Sequence, residues 1–171
     1  MQDLAEQAYD ALEDDDGEEA ETLLKEAVAL EPDSPDLLNN LCKAYEIQDR
    51  TDEARAMTEE IHRRFPDYLF ARVTLAAVHA KEGRVEEAKA LLDPLLTQTE
   101  FHISEFAALC MAEVELALAQ NQREAGQHWV DMLARVDPDH PTLPNLRMRL
   151  LPPSTFEKLF RNASQHVWKR S

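Results

Sequence analysis

Glycine is nearly missing from this chain: three in 171 residues, beside two cysteines and an aromatic content of 6%. So few glycines and aromatics argue against a turn-rich β architecture. No apolar run approaches the ~20 residues that a membrane-spanning helix requires, so no span is expected. The cysteines, Cys42 and Cys110, form no CxxC and no Cys/His ligand spacing. They sit among apolar residues at helical spacing, which predicts buried free thiols and a reducing, cytoplasmic setting. There is no HExxH, no serine nucleophile elbow and no glycine-rich phosphate loop, so the sequence offers no catalytic set, cofactor site or metal site. Basic residues are also scarce, 18 against 34 acids, for a formal net charge of −16. Nucleic-acid binding calls for the opposite sign and is not expected. The opening MQDLAEQAYD is acidic and amphipathic and does not read as a signal peptide.

Abundant Ala, Leu, Glu and Arg favour helix. The helical segments recur. Ala20, Ala54 and Ala88 stand 34 residues apart within GEEAETLLKEAVALEP, TDEARAMTEEIHRRFP and RVEEAKALLDPLL. Acids precede each alanine and apolar residues follow at three to four and seven positions. Pro32 and Pro66 close the first two segments. Upstream of each lies a second amphipathic stretch: LAEQAYDAL, LLNNLCKAY and RVTLAAVHA. The unit is helix, short turn, helix. Glu18 and Glu19, Asp52 and Glu53, and Glu86 and Glu87 fall in the first turn of each second helix, where they complement the helix dipole. Ser34-Pro35 supplies an N-cap and a favoured first helical residue.

In period and in its small residues the pattern resembles the tetratricopeptide repeat. Numbered so that the second-helix alanine is position 20, position 8 is small in all three units: Ala8, Cys42 and Ala76. Position 24 is Leu24, Thr58 and Leu92, and position 27 is Ala27, Ile61 and Leu95. The motif's aromatic at position 4 is replaced by Leu4, Leu38 and Arg72, and the third unit has Glu100 where its closing proline belongs. The resemblance implies an all-α solenoid of antiparallel helix pairs wound as a right-handed superhelix. Its expected division is an array over residues 1–138, with repeats at about 1–34, 35–68 and 69–100 and a divergent fourth at 103–138, followed by C-terminal capping helices at 141–171.

After the third unit the phase slips. The fourth unit's small residue is Ala125, 37 after Ala88, or Gly126; a longer connection through 97–104 is expected to absorb the difference, with Pro94 bending the third unit. Beyond it, PTLPNLRMRLL reads as a short helix with Thr142 as cap. Pro152-Pro153 breaks the chain. Residues 154–171 read as a basic amphipathic helix, with Ser154 and Glu157 as a capping box and Phe156, Leu159, Phe160, Ala163 and Val167 on one face. That helix is expected to cap the array; a homodimer contact, a partner contact or a membrane surface are its alternatives.

Three clusters invite other readings. EDDDGEE at 13–19 suggests calcium, but aligning Gly17 with the EF-hand glycine puts Leu12 and Leu23 at ligand positions, so a solvated turn is expected. DPDH at 137–140 reads as a turn after a helix. His79, at the motif's tyrosine position, is expected to be packed and hydrogen-bonded.

The resemblance also implies a function: a non-catalytic scaffold that takes a peptide or protein partner in a concave groove lined by first helices. The family's groove positions map onto Tyr9, Leu12 and Glu13; Asn39, Lys43 and Glu46; and Phe70, Val73, Ala77 and Lys81. The cationic carboxylate clamp of chaperone-tail members maps onto Ala5, Tyr9, Asn40, Phe70 and Thr74; only Asn40 has the expected type, so binding of such tails is disfavoured. The alternative is an accessory or self-assembly module of a larger enzyme, secretion or transport complex, with the basic C-terminal helix as contact.

Overall fold

The computed structural model describes residues 2–152. Among them are nine α-helices and no strand: α1 (Gln2–Glu13), α2 (Gly17–Leu30), α3 (Pro35–Ile47), α4 (Thr51–Arg64), α5 (Leu69–Lys81), α6 (Val85–Leu92), α7 (Ile103–Ala119), α8 (Arg123–Val136) and α9 (Leu143–Leu150). A 3₁₀ turn, Leu95–Thr97, follows α6. The amphipathic helix expected at 154–171, with its capping, dimer and partner roles, lies outside the described residues.

The helices fold back in pairs through one repeated turn. Asp15, Asp49, Gly83 and Asn121 all take positive φ, between +56° and +76°, in steps of 34, 34 and 38 residues. Asp, Asn and Gly are the residues that tolerate this left-handed conformation. One residue later a backbone N–H reaches back five positions to close the turn: Asp16 to the carbonyl of Ala11 (2.9 Å), Arg50 to Tyr45 (2.9 Å), Arg84 to His79 (2.8 Å) and Gln122 to Ala117 (2.8 Å). The next helix then starts with acids in its first turn, and in α2 the Asp16 carboxylate accepts from the Glu19 N–H at 3.0 Å. EDDDGEE is thus a turn and a cap. DPDH is also a turn, with the His140 N–H on the Asp137 carbonyl.

The source of the phase slip differs from the expectation. First helices begin at Pro35, Leu69 and Ile103, still 34 apart, but α7 has 17 residues where α3 and α5 have 13. The four extra residues make one more helical turn. The slip therefore lies inside α7. The connection before it is indeed long, but its residues come out of α6, which stops at Leu92 ahead of Asp93-Pro94 because proline cannot donate the next helical bond. Ile103 is held as the start of α7 by a capping box: His102 N donates to Glu105 Oε2 at 2.8 Å, and His102 Nδ1 accepts from Ser104 N.

That register makes Gly126 the counterpart of Ala20, Ala54 and Ala88: each N–H bonds the carbonyl four residues back, at Gln122, Asp16, Arg50 and Arg84 respectively, and each residue is buried. Ala125 is exposed. Glycine gives α9 room here; a Cβ at 126 would lie 2.8 Å from Leu150 Cδ2, and that side chain would have to shift.

The core runs along the array as linked clusters. One fills α1 to α4 around Leu24, Leu41 and Ala20. A second joins α5, α6 and α7 around Leu92, Leu95 and Leu109. A third holds α9 through Leu143, Leu146 and Leu150 against Val114 of α7 and Val130 and Leu133 of α8. Between the first two lies only a small joint of Leu38, Cys42, Ile61 and Ala71. Its two large residues, Leu38 and Ile61, contribute roughly 1.5–3 kcal/mol each. Arg123 satisfies the final carbonyls of α9 by donating to Leu150 and Leu151 at 3.1 Å each. Cys42 and Cys110 are buried free thiols, and burial pushes them up to about 11 and about 12. His79 is packed, but its Nδ1 is buried with no hydrogen-bond partner among the described residues, contrary to the hydrogen-bonded histidine expected there; burial also lowers its affinity for a proton.

Candidate partner-binding groove

Shortening α6 changes how the first helices meet. α7 closes directly onto α5, and Ala76, Ala80, Leu109 and Ala112 share one core cluster there, because small residues let two helices approach. α3 and α5, by contrast, barely touch. The space left between α3 and the α5–α7 pair is a groove with two adjoining cavities of about 110 and 340 Å³. Both are walled by Glu46, Val73, Thr74 and Ala108. The smaller adds Asn39, Lys43 and Phe70, with Cys42 and Thr58 beneath. The larger adds Ala77, Lys81 and Met111. Sites of this size, open and only partly apolar, suit side chains of a docked peptide better than an enclosed small molecule.

Seven residues expected at the groove thus meet there: Asn39, Lys43, Glu46, Phe70, Val73, Ala77 and Lys81. Val73 is only 4% exposed, so it forms the floor and belongs to the core as much as to the groove. Tyr9 and Leu12 do not line these cavities. Tyr9 is 52% exposed on α1, where a hydrogen bond with Glu13 raises the phenol's proton affinity, and Leu12 packs against the first core cluster.

Sequence reasoning missed the α7 wall: Ala108, Met111 and Ala112. The signal was present. Thr74, Ala77 and Val78 plus one 34-residue step give Ala108, Met111 and Ala112. Following the second-helix alanines hid it, since those lie beyond the extra turn of α7.

Phe70 is half-buried and tilted against Tyr68, ring centroids 5.7 Å apart. The Tyr68 hydroxyl donates to Asp36 Oδ1 at 2.8 Å, tying the start of α5 to α3. Lys43 donates to Asn40 Oδ1 at 3.2 Å. Arginines elsewhere on α3 to α4 are ion-paired: Arg50 with Glu21 and Glu53, Arg55 with Glu59 and Glu82, Arg63 with Glu60, and Arg64 with Asp33. Lys43 and Lys81 have no ion pair among the described residues. Between them, burial raises the Glu46 carboxyl's proton affinity and the two lysines pull it back. Beyond the groove on α7, Glu115 is 6% exposed and its Oε2 accepts from Arg149 Nη2 of α9 at 2.6 Å, so that the groove's line of first helices ends in a closed ion pair.

The clamp positions do not converge. Ala5 and Asn40 border a separate cavity that also carries Glu31 and Asp36, an acidic surround that repels a terminal carboxylate. Among the described residues no group of three or more His, Cys, Asp or Glu side chains could hold a metal ion, and no helix is long and apolar enough to cross a membrane.

The tetratricopeptide repeat family matches at residues 11–67 and 47–111. This chain belongs to that family. Proteins with this repeat are generally non-catalytic modules that bind protein partners. Among solved structures, PilF of Pseudomonas aeruginosa aligns with 85% of this chain and 65% of its own, at TM-score 0.59 and 18% identity. The chain thus spans just under two thirds of that protein, and the likeness concerns the fold alone. A tetratricopeptide repeat protein from Parabacteroides merdae ATCC 43184 aligns with 99% of this chain and 79% of its own, at TM-score 0.48 and 17% identity. No curated protein matches. The family's turn explains the repeated left-handed residue, and its helix pairing explains why small residues recur at Ala8, Cys42 and Ala76, all buried.

Proposed function

We propose that this tetratricopeptide repeat chain is a non-catalytic scaffold that holds a peptide or protein partner in the groove between α3, α5 and α7. The observation that carries the reading is convergence. Side chains from three helices, from Asn39 to Met111, meet in one open cleft with an apolar floor and two lysines that have no ion pair among the described residues. Apolar anchors seat beside Phe70 and Met111, while Asn39, Lys43 and Lys81 set polarity and register. Buried thiols at Cys42 and Cys110 support a cytoplasmic setting.

Affinity capture from native lysate, read by mass spectrometry, tests it. Wild type is run beside Phe70→Ala/Lys43→Glu, with thermal melting to establish that the variant is folded. Truncating one aromatic anchor costs about 2 kcal/mol of binding, roughly thirtyfold, so a groove partner disappears from the variant. A partner retained in full by the folded variant would show that it binds elsewhere.

A further inference from the structure

We infer that the groove's occupant is an acidic peptide segment with one bulky apolar side chain, its carboxylates meeting Lys43 and Lys81 and its apolar side chain entering over Val73 between Phe70 and Met111. This rests on the groove reading above and adds the chemistry of the ligand.

Charge complementarity is the ground for it. The chain is strongly acidic, at −16, which by itself favours a basic ligand. That field is screened, however: at physiological ionic strength its range is about 8 Å, so the charges in the groove decide. Those are Lys43, Lys81 and Glu46. The balance there is positive by one, against the sign of the whole chain. The carboxylate of Glu46 is also the wrong bait for a basic ligand, because both lysines already act on it. In the neighbouring cavity on the α4 side, Asp52 and Arg55 add one charge of each sign to the lining, and Arg55 is ion-paired with Glu59 and Glu82. Neither Lys43 nor Lys81 is in an ion pair among the described residues, and the one hydrogen bond of Lys43 goes to the neutral side chain of Asn40. They are exposed while Val73 beneath them is buried. A ligand that satisfies both features needs acid on its rim-facing side and an apolar anchor on the other.

The test is a displayed library of random short peptides selected on the full chain, followed by titration of a synthetic enriched peptide. The expected result is enrichment of sequences pairing Asp or Glu with Phe, Leu, Met or Trp. Their affinity should fall about tenfold or more in Lys43→Glu/Lys81→Glu and in Phe70→Ala/Met111→Ala, and hold in Lys89→Glu on α6. Rising salt should weaken binding. Peptides that lose affinity with Phe70→Ala/Met111→Ala but carry no acids, or ignore the lysine reversals, overturn the acidic-ligand inference and leave the groove reading standing. Peptides indifferent to both double variants, or no enriched sequence, overturn both. Melting curves of every variant, matched to wild type, separate loss of binding from loss of fold.

Discussion

Glu113 sits in α7 at 8% exposure, with no hydrogen bond or ion pair among the described residues. Burial pushes its carboxyl up from 4.5 to about 7, and Asp93 at the end of α6 adds to the effect. Because the folded protein holds this proton more tightly than the unfolded chain does, the contribution favours folding at low pH. It is lost as pH climbs from about 4.5 to about 7 and levels off above. At about 1.4 kcal/mol per unit of displacement, keeping the carboxylate charged in the fold costs about 3 kcal/mol near pH 8. For a domain of this size that corresponds to about 6–12 °C in melting temperature. Glu113→Gln keeps the shape and removes the charge at every pH. The measurement is the melting temperature of variant and wild type by circular dichroism across about pH 4 to 8 at constant ionic strength. Any pH-independent cost of the amide shifts every point equally, so the slope of the difference carries the information. The variant should gain on wild type steadily from about pH 5 to 7, by about 2 kcal/mol, and then run parallel. A difference that is flat, or that shrinks with rising pH, would refute the placement of an uncompensated acid in this core.

Two further outcomes follow from packing and charge. Gly126→Ala sets a Cβ 2.8 Å from Leu150 Cδ2 and 3.4 Å from Ala117 Cβ. It should cost about 1–3 kcal/mol in urea unfolding. In a Leu150→Ala background the same change should be neutral or gain up to about 1 kcal/mol of helix propensity; an equal cost in both backgrounds would rule out the clash as its cause. In the first repeat, acids crowd the α1–α2 turn at Asp14, Asp15, Asp16, Glu18 and Glu19, so moderate salt should raise the melting temperature, and a flat or falling midpoint would contradict that account.

Several features could be read directly from residues. The helix pairs follow from the 3.6-residue spacing of apolar positions, the small residues at Ala8, Cys42 and Ala76, and the 34-residue return of alanine. The choice of Asp15, Asp49 and Asn121 for left-handed turns is a local preference, as is Ser34-Pro35 at the head of α3. The groove was legible where it depended on that same period, through Lys43, Glu46, Phe70 and Lys81. It was lost at Met111, where an extra helical turn broke the phase of the marker being followed, though not the phase of the first helices.

Local chemistry along the chain therefore determined which segments are helical, where they turn and which face is apolar, since each depends on neighbours within a few residues. Only the tertiary structure decided that Gly126 and not Ala125 carries the fourth repeat, that α7 lies against α5 while α3 stands off, and that Tyr9 and Leu12 fall outside the cleft. Those outcomes depend on the docking of α7 against α5 and of Leu150 against Gly126, contacts between residues far apart in the chain. No periodicity records such contacts, because they are settled by how whole helices close-pack once their faces are already chosen.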